Sequence, residues 1–232
     1  MSIDSTLYLY QYKDGYRYNS DSLLLYDFIN KLNPKGNVLD VGSGSGILGL
    51  LLKRDFTSIC LTQIEVQSSH KFLTHKSAKY NELESEVICA DFRGYKFDKK
   101  FDFIVSNPPF YHEGTQKSEN ESLKISRHSD SLPFEELVQT VSTNLKPRGS
   151  FVFCYDAKQV DMLLGILVKY KLKVNSMRFV YTKANCDASL VLIYAKKSSK
   201  SLCQVLPPLY MNSSEVEDIY KNSRTQSLLW QN

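Results

Sequence analysis

Hydrophobic and polar positions along the chain form short apolar runs, typical of β-strands, that alternate with longer segments of helical spacing. The apolar runs predict seven strands, at residues 37–41, 58–64, 86–90, 101–106, 150–154, 173–181 and 190–195. The segments of helical spacing predict helices at residues 47–54, 67–80, 133–145 and 157–170. Because helices separate most of the strands, the pattern predicts an α/β fold with a mainly parallel seven-stranded sheet. No helix separates the last two strands, which predicts one antiparallel edge strand.

Three segments lie outside this pattern, and we interpret residues 1–232 as a single domain that carries them. The N-terminal extension, residues 1–34, opens with an aromatic-rich stretch up to residue 18 that we expect to be irregular. Residues 112–131 are polar and too long for an ordinary connection, which indicates a functional loop or a solvated one. The C-terminal tail, residues 206–232, has room for one short helix.

Composition and charge exclude few classes of protein. A hydrophobic content of 42% is ordinary for a soluble globular protein, and no apolar run approaches the roughly 18 residues that a membrane span needs. A formal net charge of +4 permits a nucleic-acid partner but does not argue for one. The N-terminus lacks the basic and apolar regions of a secretory signal.

Cysteine and histidine usage predicts a cytoplasmic protein without a metal site. The five cysteines are scattered, and Cys60, Cys89 and Cys154 fall in predicted buried strands, which indicates free thiols in a reducing compartment. His70 and His75 are five residues apart on a predicted helix and therefore do not share a face. The oligomeric state stays open, with a monomer favoured.

A glycine turn joins the first predicted strand to the first predicted helix in LDVGSGSGILGLLLKR, residues 39–54. Glycines there allow a ligand to approach the backbone, and the helix N-terminus offers unpaired N–H groups. Residues 44–49 also match the dinucleotide fingerprint GxGxxG, and Glu65 follows at a suitable distance to bind ribose hydroxyls. A nicotinamide or flavin cofactor is therefore one alternative, and a purely structural turn is another.

Acidic residues at the ends of the first three predicted strands favour a different ligand. Asp40 directly precedes the glycine turn, where a carboxylate would repel a diphosphate and attract an ammonium group. Glu65 and Asp91 end the next two strands, and the three acids together suit an adenosine with a cationic amino-acid tail. On these residues the chain resembles the class I S-adenosylmethionine-dependent methyltransferases, and the resemblance implies their Rossmann-like fold.

The resemblance also implies roles for individual residues. Glu65 would bind the ribose diol, Asp91 the adenine amine, and Phe92 would lie against the adenine ring, although core packing explains Phe92 equally well. The turn would surround the methionine part of S-adenosylmethionine through Asp40, Gly42, Ser43, Gly44 and Gly46.

A second motif, FDFIVSNPPFYHEG at residues 101–114, runs from a predicted buried strand into two prolines. Asn107 can present a side-chain carbonyl and Pro108 a backbone carbonyl, and the proline rings hold the chain so that both acceptors are aimed in advance. Two acceptors on one amino group would free the nitrogen lone pair for attack, and Phe110 offers a flat face for stacking a base. An isolated NPP is more often a simple turn, but here it lies at the predicted cleft.

This motif resembles the (N/D)PP(Y/F) signature of methyltransferases that act on amino groups of adenine, guanine or glutamine. Together with YRYNSDSLLLYDFI, SRHSDSLPFEELV and LPPLYMN, it resembles the bacterial adenine-N6 methyltransferases of valine tRNA over nearly the full chain. Phe110 replaces the tyrosine commonest in adenine enzymes, so a guanine-N2 RNA methyltransferase remains an alternative. A noncatalytic RNA-binding protein that keeps the fold is a further one.

The resemblance implies that tRNA is the partner and that residues 112–131 form the substrate loop. Asn107 would border both the cofactor and the substrate amine, and Phe110, Tyr111, Lys124 and Arg127 would contact RNA. The segment NSDS, residues 19–22, reads as a helix N-cap, and the resemblance implies that this helix start lies over the cofactor and the target base.

Overall fold

The structure is a computed structural model that describes residues 6–13, 20–109 and 132–230. Its first half contains strands and helices in the order β1 (Leu7–Tyr12), α1 (Ser20–Asn30), β2 (Asn37–Val41), α2 (Ile47–Asp55), β3 (Cys60–Glu65), α3 (Ser68–Tyr80), β4 (Glu86–Cys89) and β5 (Phe101–Ser106). Its second half continues with α4 (Phe134–Asn144), β6 (Leu145–Asp156), a 3₁₀ turn (Ala157–Gln159), α5 (Val160–Lys169), β7 (Leu172–Tyr181), β8 (Ala188–Lys197), β9 (Gln204–Val205), β10 (Leu209–Tyr210), α6 (Ser214–Ser223) and β11 (Thr225–Trp230). All seven predicted strands and all four predicted helices are therefore present.

The central sheet has the strand order β10-β7-β8-β6-β5-β2-β3-β4, with β9 added on β7. The seven predicted strands form its body, and the two-residue strands β9 and β10 extend it. Strands β2 to β6 pair in parallel, as predicted. The predicted antiparallel strand is β8, but it lies between β6 and β7, so the prediction of an edge position was wrong. The continuous buried run Leu190–Ile193 explains this position, because a strand with neighbours on both sides is covered on both faces.

The carboxyl ends of β2, β3 and β5 meet at one edge of the sheet. Val41 is paired with Ile64 on one side and with Ser106 on the other. The glycine turn, Glu65 and Asn107 directly follow or end these strands, so the parallel register brings them together. Open α/β sheets bind their ligands at this edge.

The two terminal segments form a structure that the sequence pattern did not predict. β1 pairs in parallel with β11 as a two-stranded sheet, although residues 1–18 were expected to be irregular. Leu7, Leu9 and Gln11 of β1 are buried, because every second side chain points towards the core. The predicted short helix of the tail is present as α6, where the Ser213 hydroxyl accepts a hydrogen bond from the Val216 N–H.

One hydrophobic core extends across the described residues. It includes Leu9 of β1 and Val216 of α6 besides the central strands. Of the three cysteines predicted to be buried, only Cys154 is, because Cys60 and Cys89 stand at the ends of short strands and are exposed.

Candidate functional site

The glycine turn after β2 adopts a backbone that requires glycine. Gly42, Gly44 and Gly46 have φ angles of 68°, 55° and 84°, which L side chains rarely adopt. The Gly44 N–H donates to Glu65 Oε2 at 2.9 Å, and the Gly44 carbonyl accepts from the Thr74 hydroxyl at 2.8 Å. The end of β3 and helix α3 therefore hold the turn open in a fixed shape.

Asp40 is a buried acid beneath this turn. Its Oδ2 accepts a hydrogen bond from the Gly49 N–H of α2 at 2.9 Å. Burial raises the pKa of Asp40 to about 7, the Gly49 hydrogen bond lowers it, and the charge of Glu65 adds to the increase. Asp40 forms no salt bridge with any other described residue, so a bound cation would be the group that compensates its charge.

Glu65 ends β3 and binds two backbone amides at once. Its Oε2 accepts from Gly44 N–H and its Oε1 accepts from Gln67 N–H, both at 2.9 Å. A carboxylate has about four lone-pair sites, so acceptor capacity for ligand hydroxyls remains. Glu65 and His70 both line the cleft at this edge of the sheet, which we call the main cleft. Burial lowers the pKa of His70, and the charge of Glu65 opposes this effect. The predicted ribose position is therefore compatible with the geometry and stays a prediction.

Asp91 lies at the rim of the cleft and is paired with an arginine. Arg93 Nη2 lies 2.5 Å from Asp91 Oδ2, and Arg93 Nη1 lies 3.0 Å from Glu136 Oε2. The Arg93 hydrogen bond holds the pKa of Asp91 below its ordinary value. Asp91 follows β4 by two residues and does not end it. Any contact of Asp91 with an adenine amine would thus be shared with Arg93.

Phe92 belongs to the core and also reaches the cleft. Its side chain is buried, and its ring centroid lies 6.2 Å from that of Phe97. The same residue lines the cleft beside Glu65 and Asp91. The two roles predicted for Phe92, core packing and contact with a ring in the cleft, are therefore compatible.

Asn107 is held by two side chains from other parts of the chain. Its Nδ2 donates to the Ser22 hydroxyl of α1 at 3.0 Å, and its Oδ1 accepts from the Cys154 thiol of β6 at 3.0 Å. The register places Ser106 beside Phe153, so Asn107 and Cys154 are the next residues on adjacent strands. Pro108 is buried and Pro109 lines the cleft.

Two cavities meet at Asn107. The main cleft is bounded by Glu65, Gln67, His70, the residues Ala90–Arg93 and Pro109. A smaller recess lies between Ser22, Asp40 and the glycine turn. Gly42, Gly44 and Asn107 line both.

The features of this paired cavity fit S-adenosylmethionine. The hydroxyls of Ser43 and Ser45 are buried without a hydrogen-bond partner among the described residues, which calls for a polar ligand. A Cβ on Gly42 would meet nothing within 4 Å, so the turn faces open space. Asp40 in the recess suits the ammonium group, and Glu65 in the cleft suits the ribose.

Several residues of the site were not predicted from the sequence. Ser22, Cys154, Arg93, Gln67 and His70 contact or line the site, and only the helix start at residues 19–22 pointed to one of them. The predicted helix is α1, which begins at Ser20. The predicted substrate residues Phe110, Tyr111, Lys124 and Arg127 lie outside the described residues, as does Asn19.

The described part of the chain offers neither a metal site nor a membrane-spanning helix. Within residues 6–13, 20–109 and 132–230, no three His, Cys, Asp or Glu side chains are grouped so that they could hold a metal ion. No helix within these ranges is long and apolar enough to cross a membrane.

Comparison with known proteins places this site in a family. The profile of the family described as methyltransferase small domain matches residues 17–159. A tRNA1(Val) (adenine(37)-N6)-methyltransferase from Pedobacter heparinus is 27% identical over 171 residues, which are 73% of this chain and 72% of that protein.

Two solved structures share the fold. A predicted O-methyltransferase from Agrobacterium tumefaciens has a TM-score of 0.69 at 16% identity, covering 90% of this chain and 99% of that one. A 16S rRNA N2 G1207 methyltransferase from Thermus thermophilus, solved with AdoMet and guanosine, has a TM-score of 0.55 at 19% identity, covering 80% of this chain and 45% of that one. These similarities confirm the predicted Rossmann-like fold. The chain belongs to the methyltransferase small domain family and is an S-adenosylmethionine-dependent methyltransferase.

Proposed function

We propose that this enzyme methylates the exocyclic amino group of an RNA base, and that the base is adenine, methylated at N6 in tRNA. The observation that carries the proposal is the position of Asn107 where the main cleft and the Asp40 recess meet. A side-chain amide at that point can bind a substrate amine beside a methyl donor held in the cleft. The tRNA1(Val) adenine-N6 methyltransferase similar to this chain supports adenine as the base.

The substrate amine needs hydrogen-bond acceptors more than it needs a base. When bound, S-adenosylmethionine would supply an electrophilic methyl group on a sulfonium sulfur. The N–C bond would form as the C–S bond breaks, which leaves a neutral thioether, and the methylated nitrogen would release one proton to solvent. The lone pair of an aromatic amine is delocalised into the ring, and acceptors for its two N–H groups favour a pyramidal nitrogen. Asn107 Oδ1 has two lone pairs, and Cys154 uses one of them, so one remains for an amine hydrogen.

Neighbouring residues keep this acceptor in place. The Ser22 hydroxyl accepts from the Asn107 amide nitrogen, which directs the amide oxygen towards Cys154 and away from helix α1. Pro108 has a fixed φ and holds the preceding Asn107 extended, and its carbonyl is proposed to provide the second acceptor. Such preorganised acceptors stabilise a transition state without reorganisation at the moment of reaction.

The cofactor would be held by the residues of the paired cavity. Asp40 would bind the ammonium group, the glycine turn the methionine chain, and Glu65 the ribose hydroxyls. Asp91 with Arg93 would face the adenine edge. Phe110 is proposed to stack on the target base, as predicted from the motif.

The experiment that tests the function identifies the methylated nucleoside. Purified enzyme is incubated with S-adenosylmethionine and tRNA from cells lacking the enzyme, and the digested nucleosides are analysed by mass spectrometry. We expect N6-methyladenosine with the wild type, formed on the order of 100- to 1,000-fold more slowly with Asn107→Ala. Formation of N2-methylguanosine, the alternative favoured by Phe110 in place of tyrosine, would overturn the choice of base. No modified nucleoside, despite bound cofactor, would overturn the proposal.

A further inference from the structure

A row of aromatic rings and lysines lies outside the cleft, along helix α3 and the terminal sheet. Tyr80 packs against Tyr8 and Tyr10 with ring centroids 5.5 and 5.8 Å apart. Tyr10 in turn lies 6.0 Å from Trp230, which lies 5.8 Å from Phe72. We call these rings, together with the lysines of α3, the α3 face.

The α3 face leads to the mouth of the cleft. The amides of Tyr8 and Tyr10 donate to Asn81 Oδ1 at 2.9 Å and to Ser77 Oγ at 3.0 Å, so β1 lies along α3. At the other end, the Tyr12 hydroxyl donates to the Ser69 carbonyl at the start of α3. The row extends along α3 from Tyr80 to Lys71, nine residues or about 14 Å, and α3 itself begins three residues after Glu65 of the cleft.

Only positive charge is found on the elements of this face. Helix α3 contains Lys71, Lys76 and Lys79 but no Asp or Glu, and neither β1 nor β11 contains an acidic residue. Lys76 Nζ lies 4.1 Å from the centre of the Trp230 ring and 4.6 Å from that of Tyr10. Lys71 and Lys79 form no salt bridge with another described residue. The whole chain has a formal charge of only +4, so three lysines without an acid on one helix are a local concentration, which is bordered by Glu84 and Glu86 beside Lys79.

Large apolar rings of this face remain accessible to a ligand. Phe72 is 47% exposed and Tyr80 is 53% exposed, which is unusual for side chains of this size. Exposed rings beside lysines suit a ligand that presents both flat faces and negative charges. Single-stranded nucleic acid does so, since bases stack on aromatic side chains and lysines neutralise phosphates.

We infer that the α3 face is an RNA-binding surface that holds nucleotides flanking the target base of the substrate. This inference rests on the proposed function, because it requires that the substrate be RNA. Lys71 and Tyr80 are nine residues apart, two and a half helical turns, so they lie on opposite flanks of the exposed side of α3. Lys71 and Lys79 would bind phosphates, and Phe72 and Tyr80 would stack on bases beside the terminal sheet. Lys76 is already engaged with two rings, so it would orient the rings.

The first test compares two double variants of equal charge. Lys71→Ala/Lys79→Ala removes two positive charges from the α3 face. The control Lys173→Ala/Lys200→Ala removes two exposed lysines, one in β7 and one before β9, at the far end of the strand order from β3 and β4, which α3 joins. tRNA affinity is measured by fluorescence anisotropy over a salt titration, and S-adenosylhomocysteine affinity by calorimetry. We expect the α3 variant to flatten the slope of log affinity against log salt by about 0.7 to 1.8, one to two phosphate contacts, with cofactor affinity unchanged.

The second test uses Trp230, the only tryptophan of the chain, as a direct probe. Adding tRNA should quench or shift its emission, and Phe72→Ala should weaken tRNA binding several-fold. An unchanged emission at saturating tRNA, or equal salt slopes in the two double variants, would overturn the inference. Failure of the proposed function would look different, because the wild type itself would then neither bind nor methylate tRNA. Binding of a protein and not of RNA at this face would also overturn it.

Discussion

The Cys154 thiol lies 3.0 Å from the side-chain oxygen of Asn107, on the strand next to the one that Asn107 follows. Cys154 is fully buried, and burial raises the pKa of its thiol well above the ordinary value, with the charge of Asp21 adding to the effect. The sulfur therefore stays protonated and acts as a hydrogen-bond donor. Cys154 lines neither the main cleft nor the recess, so we assign it as a positioning residue for Asn107.

Replacing Cys154 by alanine should lower the rate of methyl transfer without weakening cofactor binding. One neutral hydrogen bond contributes about 0.5 to 1.5 kcal/mol, so kcat should fall by about 2- to 13-fold. Cys154→Ser, which keeps a donor, should retain more activity. Single-turnover rates and calorimetry with S-adenosylhomocysteine measure the two quantities. A loss of cofactor affinity equal to the loss in rate would indicate a structural role.

Asn107→Ala should abolish most of the turnover, because the proposed acceptor of the amine is removed. Loss of one preorganised polar group costs on the order of 100- to 1,000-fold in kcat. Cofactor affinity should change little, because Asn107 is uncharged and the charged residue of the recess is Asp40. A turnover within a few-fold of the wild type would exclude Asn107 from the mechanism.

Glu65→Ala should weaken S-adenosylmethionine binding by about 1.5 to 3 kcal/mol, the range for hydrogen bonds to a charged group. Because Glu65 also accepts from the Gly44 and Gln67 amides, the melting temperature should fall as well. Glu65→Gln, which keeps one acceptor oxygen, is the matched variant. Calorimetry and thermal unfolding separate the two effects. An unchanged dissociation constant would mean that the ribose is held elsewhere.

Cofactor affinity should rise with pH through neutrality. The pKa of Asp40 is about 7 because the carboxyl is buried, so at pH 6 most of it is protonated and neutral. A cationic ammonium binds the carboxylate form, so affinity should increase by up to about eightfold between pH 6 and 7.5, following the carboxylate population. An α-amino group titrates at about 7.7 to 8.0, so its deprotonation offsets part of this rise near pH 7.5. In Asp40→Asn the dependence should disappear, and a persistent one would assign it to another group, such as His70.

The loop residues Lys124 and Arg127 remain predicted RNA contacts. Replacing both with alanine should weaken tRNA binding and flatten the salt slope by about 0.7 to 0.9 for each phosphate that is no longer neutralised. S-adenosylhomocysteine affinity should stay the same. A merely solvated loop predicts the same slope before and after the change, which a salt titration with tRNA would reveal.

Local patterns were sufficient to predict the α/β architecture and the two motifs of the site. Apolar runs and helical spacing depend on the chemistry of neighbouring residues, so Phe101–Ser106 was predicted with its observed bounds. The glycine turn, Glu65 and Asn107 were predicted to meet because the carboxyl ends of parallel strands share one edge. The types of these side chains indicated the chemistry of the site, and their positions after predicted strands indicated where they would lie in the fold.

Local patterns did not predict contacts between residues that are far apart in the sequence. The pairing of β1 with β11 joins residues more than 200 positions apart, and no local spacing encodes it. The position of β8 between β6 and β7 depended on burial of both its faces, which only packing in the folded sheet imposes. Ser22 and Cys154 reach Asn107 from a helix and a strand far apart in sequence, so no motif revealed them. Residue chemistry thus identifies the reaction class from the sequence, whereas the orientation of the reacting groups arises from contacts that exist only after the chain has folded.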